Sequence, residues 1–482
     1  PVIRSVYSDG LFRWSCCRVA RPGQGGYPNG MQPPPIPFDT DPKTLNDGLE
    51  RFKALLRIDT TNPPGNEVVA ANAAVEWLAE AGIASRIHDA APGRRSLVAT
   101  YGPDDDDTLI LSAHLDVVPA DPTQWKYPPF DAVEAEGCIW GRGTIDMKHM
   151  AAYGLAIMRH LARHSVTLER GFKLVLVADE EAGCELGSLH LARNRPEWLR
   201  GGVAITEVGG FTTHVEGHRI YPIQVAEKGF VWLRLKVHGT PGHGSMPHNQ
   251  GAVVKLAELV QTLATQPFPF RATQPVRDFL AAVAEVLGAP KGLVFKGIGT
   301  RSLSEFILER VVKDEGRARV FRSLLRDTVS PNMVVGGSKV NVIPSEAELV
   351  VDCRILPGTD PEVFAAEFKR RVPGDYDLEV IASGKPLVMD KNHPVVDAIF
   401  QVLREADPGC HPVPNMLSGF TDARAFEELG IPCYGFAPIW MPPELPFAPM
   451  FHGHNERIPV HGFRWGLATL LEFVMRHCGA AR

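Results

Sequence analysis

The apolar positions of this chain change period along its length. Leu45, Leu49, Phe52, Leu55 and Leu56 recur at helical spacing and predict a helix over 44–56. Asn62-Pro63-Pro64-Gly65-Asn66 breaks it, and a second helix is expected over 67–81, with Gly82 as its stop. Short apolar runs near 96–101, 109–111, 172–178 and 203–205 read as strands. Between them the stripe Met147, Ala151, Leu155, Met158 and Leu161 marks a long helix reaching about residue 164. Helices alternating with short apolar strands predict an α/β fold built on a mostly parallel sheet. The acidic turn at 104–107 reads as a solvated, hairpin-like connection.

Near Glu227 the texture changes. Val231, Leu233, Leu235 and Val237 alternate with Trp232, Arg234, Lys236 and His238, as in a half-buried strand. A helix follows over 252–265, then several helical patches through 268–330. Two strands around a short turn are expected at 339–344 and 347–355, a helix at 361–371 and a strand at 376–381. This β-α-β-β-α-β order predicts a two-layer α+β domain inserted into the first. Helix and strand alternation resumes after 386, with helices over 395–405, 422–429 and 461–477. The expected division is a loosely attached tail over 1–38, a first domain from 39–226 plus 385–482, and an inserted domain over 227–384.

The chain has 482 residues, too many for one ordinary core. It is 44% hydrophobic and 22% charged with a net charge of −6, which leaves no basic excess for a nucleic-acid surface. No apolar run reaches the ~18 residues of a membrane span, and the Gly-, Pro- and Arg-rich start lacks the apolar segment of a signal peptide. Eight scattered cysteines form no C-x-x-C pair and read as reduced thiols of a cytoplasmic protein.

The chemistry gathers where strands end. His114 and Asp116 close one run, and residues i and i+2 of an extended segment point the same way. A carboxylate beside a histidine either orients a general base or backs a metal-bound imidazole. A second run ends in Asp179-Glu180-Glu181 and a third in Thr206-Glu207. Ligands of open α/β sheets bind outside the carboxyl ends of strands. With Asp146 after the Gly141-Arg142-Gly143 turn and one histidine of the 452/454 pair, His114, Glu181 and Glu207 make an N/O ligand set. It suits Zn²⁺, with Co²⁺ or Mn²⁺ possible. Five ligands exceed the three of one catalytic zinc and suffice for two ions sharing a carboxylate and a water. Glu180 beside Glu181 leaves one carboxylate to ligate and one to face the cleft as general base.

Six motifs together resemble the M20 metallopeptidases, the group of aminoacylases, desuccinylases and carboxypeptidases. They are His114-Leu115-Asp116-Val117-Val118-Pro119, Gly141 to Lys148, Asp179-Glu180-Glu181, Gly242-His243-Gly244-Ser245, Ser418 to Arg424, and His452-Gly453-His454-Asn455-Glu456. Pro128-Pro129-Phe130 and the His-Gly-x-Asn-Glu ending look most like the carboxypeptidase S-like branch. The resemblance implies a dinuclear catalytic domain with an inserted lid through which the protein forms a homodimer. It implies hydrolysis of an amide bond of a small peptide or N-acyl amino acid. His114 and Glu207 would bind different ions, Asp146 would bridge, and Glu181 and His452 would complete the set. Glu180 would be the general base, Asp116 the carboxylate behind His114, and His243 the donor that steadies the oxyanion. Asn341 and Arg354 would hold the substrate, Arg354 by its carboxylate. Two departures stand out: Thr206-Glu207-Val208 replaces the Asp-Glu-Gly of many relatives, and 268–330 is long for a lid. The alternative is a metal-binding relative that has lost turnover, and Glu180 argues against it.

Overall fold

The computed structural model describes residues 33–312, 314–445 and 450–481. They form two compact units. One holds the residues up to Val225, Met389–Pro414 and those from Thr421; the other holds Ala226–Val388 and Asn415–Phe420. The expected tail lies outside the described residues through 32. From 33 onwards it does not hold, because Ile36 and Phe38 pack on the core of the first unit.

The first unit is built on a mixed sheet. Its strands lie in the order Ser85–Ala91, Arg94–Tyr101, Phe172–Val177, Leu109–His114, Val203–Thr206, Cys433–Gly435 and His218–Glu227. The four from Phe172–Val177 to Cys433–Gly435 are parallel, and the flanking pairs are antiparallel. Leu109–His114 and Phe172–Val177 are buried at every position, which explains their unbroken apolar sequence. The parallel order sets the ends at His114, Val177 and Thr206 side by side on one edge of the sheet.

Helix Lys148–Arg163 lies against this sheet and buries every residue from Lys148 to Met158, far more than the predicted stripe. Gly154 permits the close approach: a Cβ there would sit 2.3 Å from Leu174 Cδ1. Helix Pro42–Leu56 packs beside it, with Asp41 as its N-cap accepting from Lys43 N. A small sheet of Val133–Ala135, Cys138–Trp140 and Arg457–Pro459 joins the segments that lead into Asp146 and out of His452.

The acidic turn proves not to be a hairpin. Phe172–Val177 separates the strands on either side of it, and Asp104 and Asp106 instead pair with Lys173 and Arg200. Strand Ser85–Ala91 is new; its apolar content is too low for a periodicity reading.

The second unit is a four-stranded antiparallel sheet in the order Thr328–Gly336, Glu346–Ile355, Gly229–His238, Tyr376–Gly384. Helices Ala252–Thr265 and Pro361–Arg371 cover one face, burying Val231, Leu233, Leu235, Leu349 and Val351 against Leu256, Phe364 and Phe368. The other face is charged, with Arg234–Glu379 and Lys236–Glu346 pairs. The neighbour of Glu346–Ile355 is Thr328–Gly336, not the segment at 339–344. Only Val342–Ile343 of that segment is a strand, and it pairs with Gly242–His243. No helix of the described residues is long and apolar enough to cross a membrane.

Candidate metal centre

His114 is the last residue of its strand and fully buried. Its Nδ1 lies 3.0 Å from the carbonyl oxygen of Asp116 and 3.4 Å from Asp116 Oδ1. With Nδ1–H donating to these oxygens, Nε2 presents its lone pair to the other side. There it lies 2.9 Å from Asp146 Oδ1 and 3.8 Å from Glu207 Oε2. Across Asp146, Oδ2 lies 3.3 Å from His452 Nε2, which is 3.0 Å from Glu181 Oε2. Two clusters result, His114–Asp146–Glu207 and Asp146–Glu181–His452, each with its donor atoms within 4.8 Å of one another. His454 contacts neither.

The backbone around these groups is tied down. Asp116 Oδ1 accepts from Glu180 N, and Oδ2 from Glu181 N and Asn62 Nδ2. One carboxylate thus orients His114 and anchors the acidic turn. Asp179 turns that loop at φ 67° and is held by Arg94, Asn62 and Leu186 N. Glu456, fully buried, accepts from Arg142 Nη1, Gly143 N, Ile145 N and Asp146 N at 2.5 to 3.2 Å. The loop that carries His452 therefore also fixes the loop that carries Asp146. Asn62, Arg94 and Glu456 had no assigned role in the sequence. The only signal was Glu456 within the His452 motif, and its partners lie 310 to 314 positions away.

The electrostatics are those of a cation site. Among the described residues, the ion-pair partners of Asp146, Glu181 and Glu207 are the two histidines alone. Burial and then the charge of Asp146 push Glu181 up to about 7. Burial, with Asp146 adding to it, pushes Glu207 up to about 8. Glu180 is raised well above the carboxylate range by burial and by Glu207. Burial pulls His114 down, but Asp116, Asp146 and Glu207 outweigh it and hold it well above the histidine range. Hydrogen bonds to Asp146 and Glu181 lift His452 to about 10. Glu181 Oε1 and Glu207 Oε1 are buried without any hydrogen-bond partner. Such orphaned oxygens are costly unless a cation takes them. The donor set, imidazole nitrogen and carboxylate oxygen without thiolate, fits Zn²⁺ or a similar divalent ion. Glu180 is buried, and its carboxylate takes no hydrogen bond among the described residues.

His243, Asn341 and Arg354 belong to the second unit. Ser245 N donates to His243 Nδ1 at 3.2 Å, which makes Nδ1 the acceptor and leaves the proton on the Nε2 of an exposed ring. Gly244 N donates to the carbonyl of Asn341, so Asn341 borders the His243 loop. Arg354 donates from Nε to both oxygens of Asp352 and stacks 5.0 Å over Phe420.

The mouse N-fatty-acyl-amino acid synthase/hydrolase PM20D1 is 28% identical over 377 residues, covering 76% of this chain and 73% of that protein. Mouse aminoacylase-1 is 24% identical over 435 residues, 87% of this chain and 92% of its own. The fold matches the M20 family metallo-carboxypeptidase Sso-CP2 of Sulfolobus solfataricus with a TM-score of 0.68 at 19% identity, over 89% of this chain and 99% of that one. The model of peptidase family M20/M25/M40 matches residues 110–476, and the chain belongs to that family of hydrolases.

Proposed function

We propose that this protein is a dinuclear metal-dependent hydrolase that cleaves the amide bond of an N-acyl amino acid or small peptide. The observation that carries the reading is the pair of histidine–carboxylate clusters sharing Asp146, one buried and the other open at His452, with orphaned buried oxygens on Glu181 and Glu207. His114 and Glu207 would hold one ion, Glu181 and His452 the other, and Asp146 both. Zn²⁺ is the first choice, with Co²⁺ or Mn²⁺ as alternatives. Bound divalent ions would polarise the amide carbonyl and acidify a water.

Glu180 takes the proton from the attacking water and returns it to the leaving nitrogen. Its burial and freedom from hydrogen bonds suit a base that must change protonation state within one turnover. Asp116 orients His114 and holds the backbone of Glu180. In the second unit, we assign to His243 the donor that steadies the oxyanion, through the proton its hydrogen bonding leaves on Nε2. Arg354 and Asn341 are assigned to the substrate, Arg354 offering its Nη groups to a carboxylate. The likeness to an N-fatty-acyl-amino acid synthase/hydrolase and to an aminoacylase supports an acylated amino acid as substrate.

The second unit is further assigned to homodimer formation. Its edge strand Thr328–Gly336 exposes Met333, Val334 and Val335 at about 60% each. Light scattering of the full chain and of Val334→Lys reads this directly: a dimer that dissociates supports the assignment, and a wild-type monomer removes it. We also assign the protein to a reducing compartment such as the cytoplasm, a reading supported by Cys138, Cys184, Cys353, Cys410 and Cys478 standing outside any disulfide among the described residues. The function is tested by metal-loaded protein against a panel of dipeptides, N-acyl and N-succinyl amino acids. Hydrolysis by the wild type and its loss in folded, metal-loaded Glu180→Ala are expected. Equal rates in the two would defeat the mechanism.

A further inference from the structure

Asp41, His160 and His164 form another cluster of metal-capable groups, remote from the one described above. His160 lies in the last turn of helix Lys148–Arg163 and His164 is its C-cap. Four residues apart on a helix, their rings share one side and stand 4.5 Å apart between centroids. Asp41, the N-cap of Pro42–Leu56, brings Oδ2 to 3.3 Å from His164 Nε2. One donor atom from each of the three residues lies within 4.8 Å of the other two.

Three features prepare the cluster for a cation. Thr44 Oγ1, 2.7 Å from His160 Nδ1, fixes the orientation of that ring as partners of metal-bound imidazoles do. Burial first, then the charge of His164, lowers His160 to about 4, so its ring is neutral at neutral pH. The carbonyl end of the helix adds negative potential at the same place. At 1.5 Å per residue His160 stands about 18 Å along the helix from Lys148, well away from Asp146. Two groups compete for Asp41 Oδ2: Arg163 Nη1 donates to it at 3.2 Å and Thr44 Oγ1 at 3.4 Å. The Arg163–Asp41 pair is partly exposed and weak in salt, and Arg163 also reaches towards Asp47 Oδ2 at 3.9 Å.

We propose that Asp41, His160 and His164 bind a divalent transition-metal ion of the Zn²⁺ class, with water completing a tetrahedral N₂O set. The ion ties the start of the first helix to the end of the central one. The test is equilibrium dialysis of the full-length wild type and His164→Gln against micromolar free Zn²⁺, followed by zinc counting. The wild type is expected to hold one more zinc per chain, and Asp41→Asn is expected to match His164→Gln. Equal zinc in wild type and both variants overturns the proposal. The readout is a difference, so it does not depend on how many ions the centre at Asp146 holds. His164 is exposed, so His164→Gln leaves the core untouched. Should it misfold by circular dichroism, copper added to the wild type decides the matter. A spectrum with two bound imidazole nitrogens that Asp41→Asn alters supports the site, and one unchanged by Asp41→Asn refutes it.

Discussion

The two halves of the candidate metal centre are built differently. The His114 half stands on the buried end of a central strand, and His114, Asp146 and Glu207 are all buried. The Glu181–His452 half stands on loops. His452 keeps 56% of its side chain exposed, sits at φ 53° and reaches its place through the Glu456 anchor. One half is fixed by the sheet itself, the other by hydrogen bonds between segments remote in sequence. A rigid, dry corner should hold its ion tightly, while an open, loop-borne corner should exchange it more freely. Asp146 belongs to both, so it is where the difference should vanish.

Asp146→Ala should therefore have the largest effect. Both ions are expected to go, and activity with them by ~10³-fold or more, the several kcal/mol that bound metals contribute. Metal analysis showing one ion retained would break the symmetry assigned to Asp146. Glu180→Ala comes next, with a loss of ~10²–10⁴ in kcat while both ions stay, read by turnover and metal content on the same sample. His114→Ala against His452→Ala then sharpens the contrast between the halves. The first should lower the tighter of two measured zinc affinities, and the second the weaker. The smallest effects belong to the supports: Asp116→Asn and Glu456→Gln should each cost about 10–100-fold in affinity or rate. Asp116→Asn should act on both halves because its carboxylate touches His114 and holds Glu180 and Glu181. Glu456→Gln should act mainly through Asp146 and His452.

The same contrast explains what could be read from the sequence. The buried half was legible, since fully buried parallel strands leave unbroken apolar runs, and polar residues at their ends stand out. His114 and Glu207 stand out that way. The second unit was legible in outline because Gly229–His238 buries alternate residues. Its edge strand Thr328–Gly336 was missed: Ser330, Pro331 and Asn332 interrupt it, and its exposed face needs no apolar pattern. Helix Lys148–Arg163 looks amphipathic in sequence, yet from Lys148 to Met158 it is buried all round because other helices cover the face away from the sheet. The anchors were not legible at all. Asn62, Arg94 and Glu456 are ordinary polar residues until folding brings them to Asp116, Asp179 and Asp146. No local pattern encodes a hydrogen bond across 310 positions.

The most direct test of the central claim is zinc titration of the metal-stripped wild type while hydrolysis of N-acyl amino acids and dipeptides is followed. Activity that is absent without metal, appears as zinc fills the two halves and is lost in Glu180→Ala is the predicted result. A protein that binds the ions yet hydrolyses no amide on the panel, or one that hydrolyses them equally well when stripped, would contradict the account.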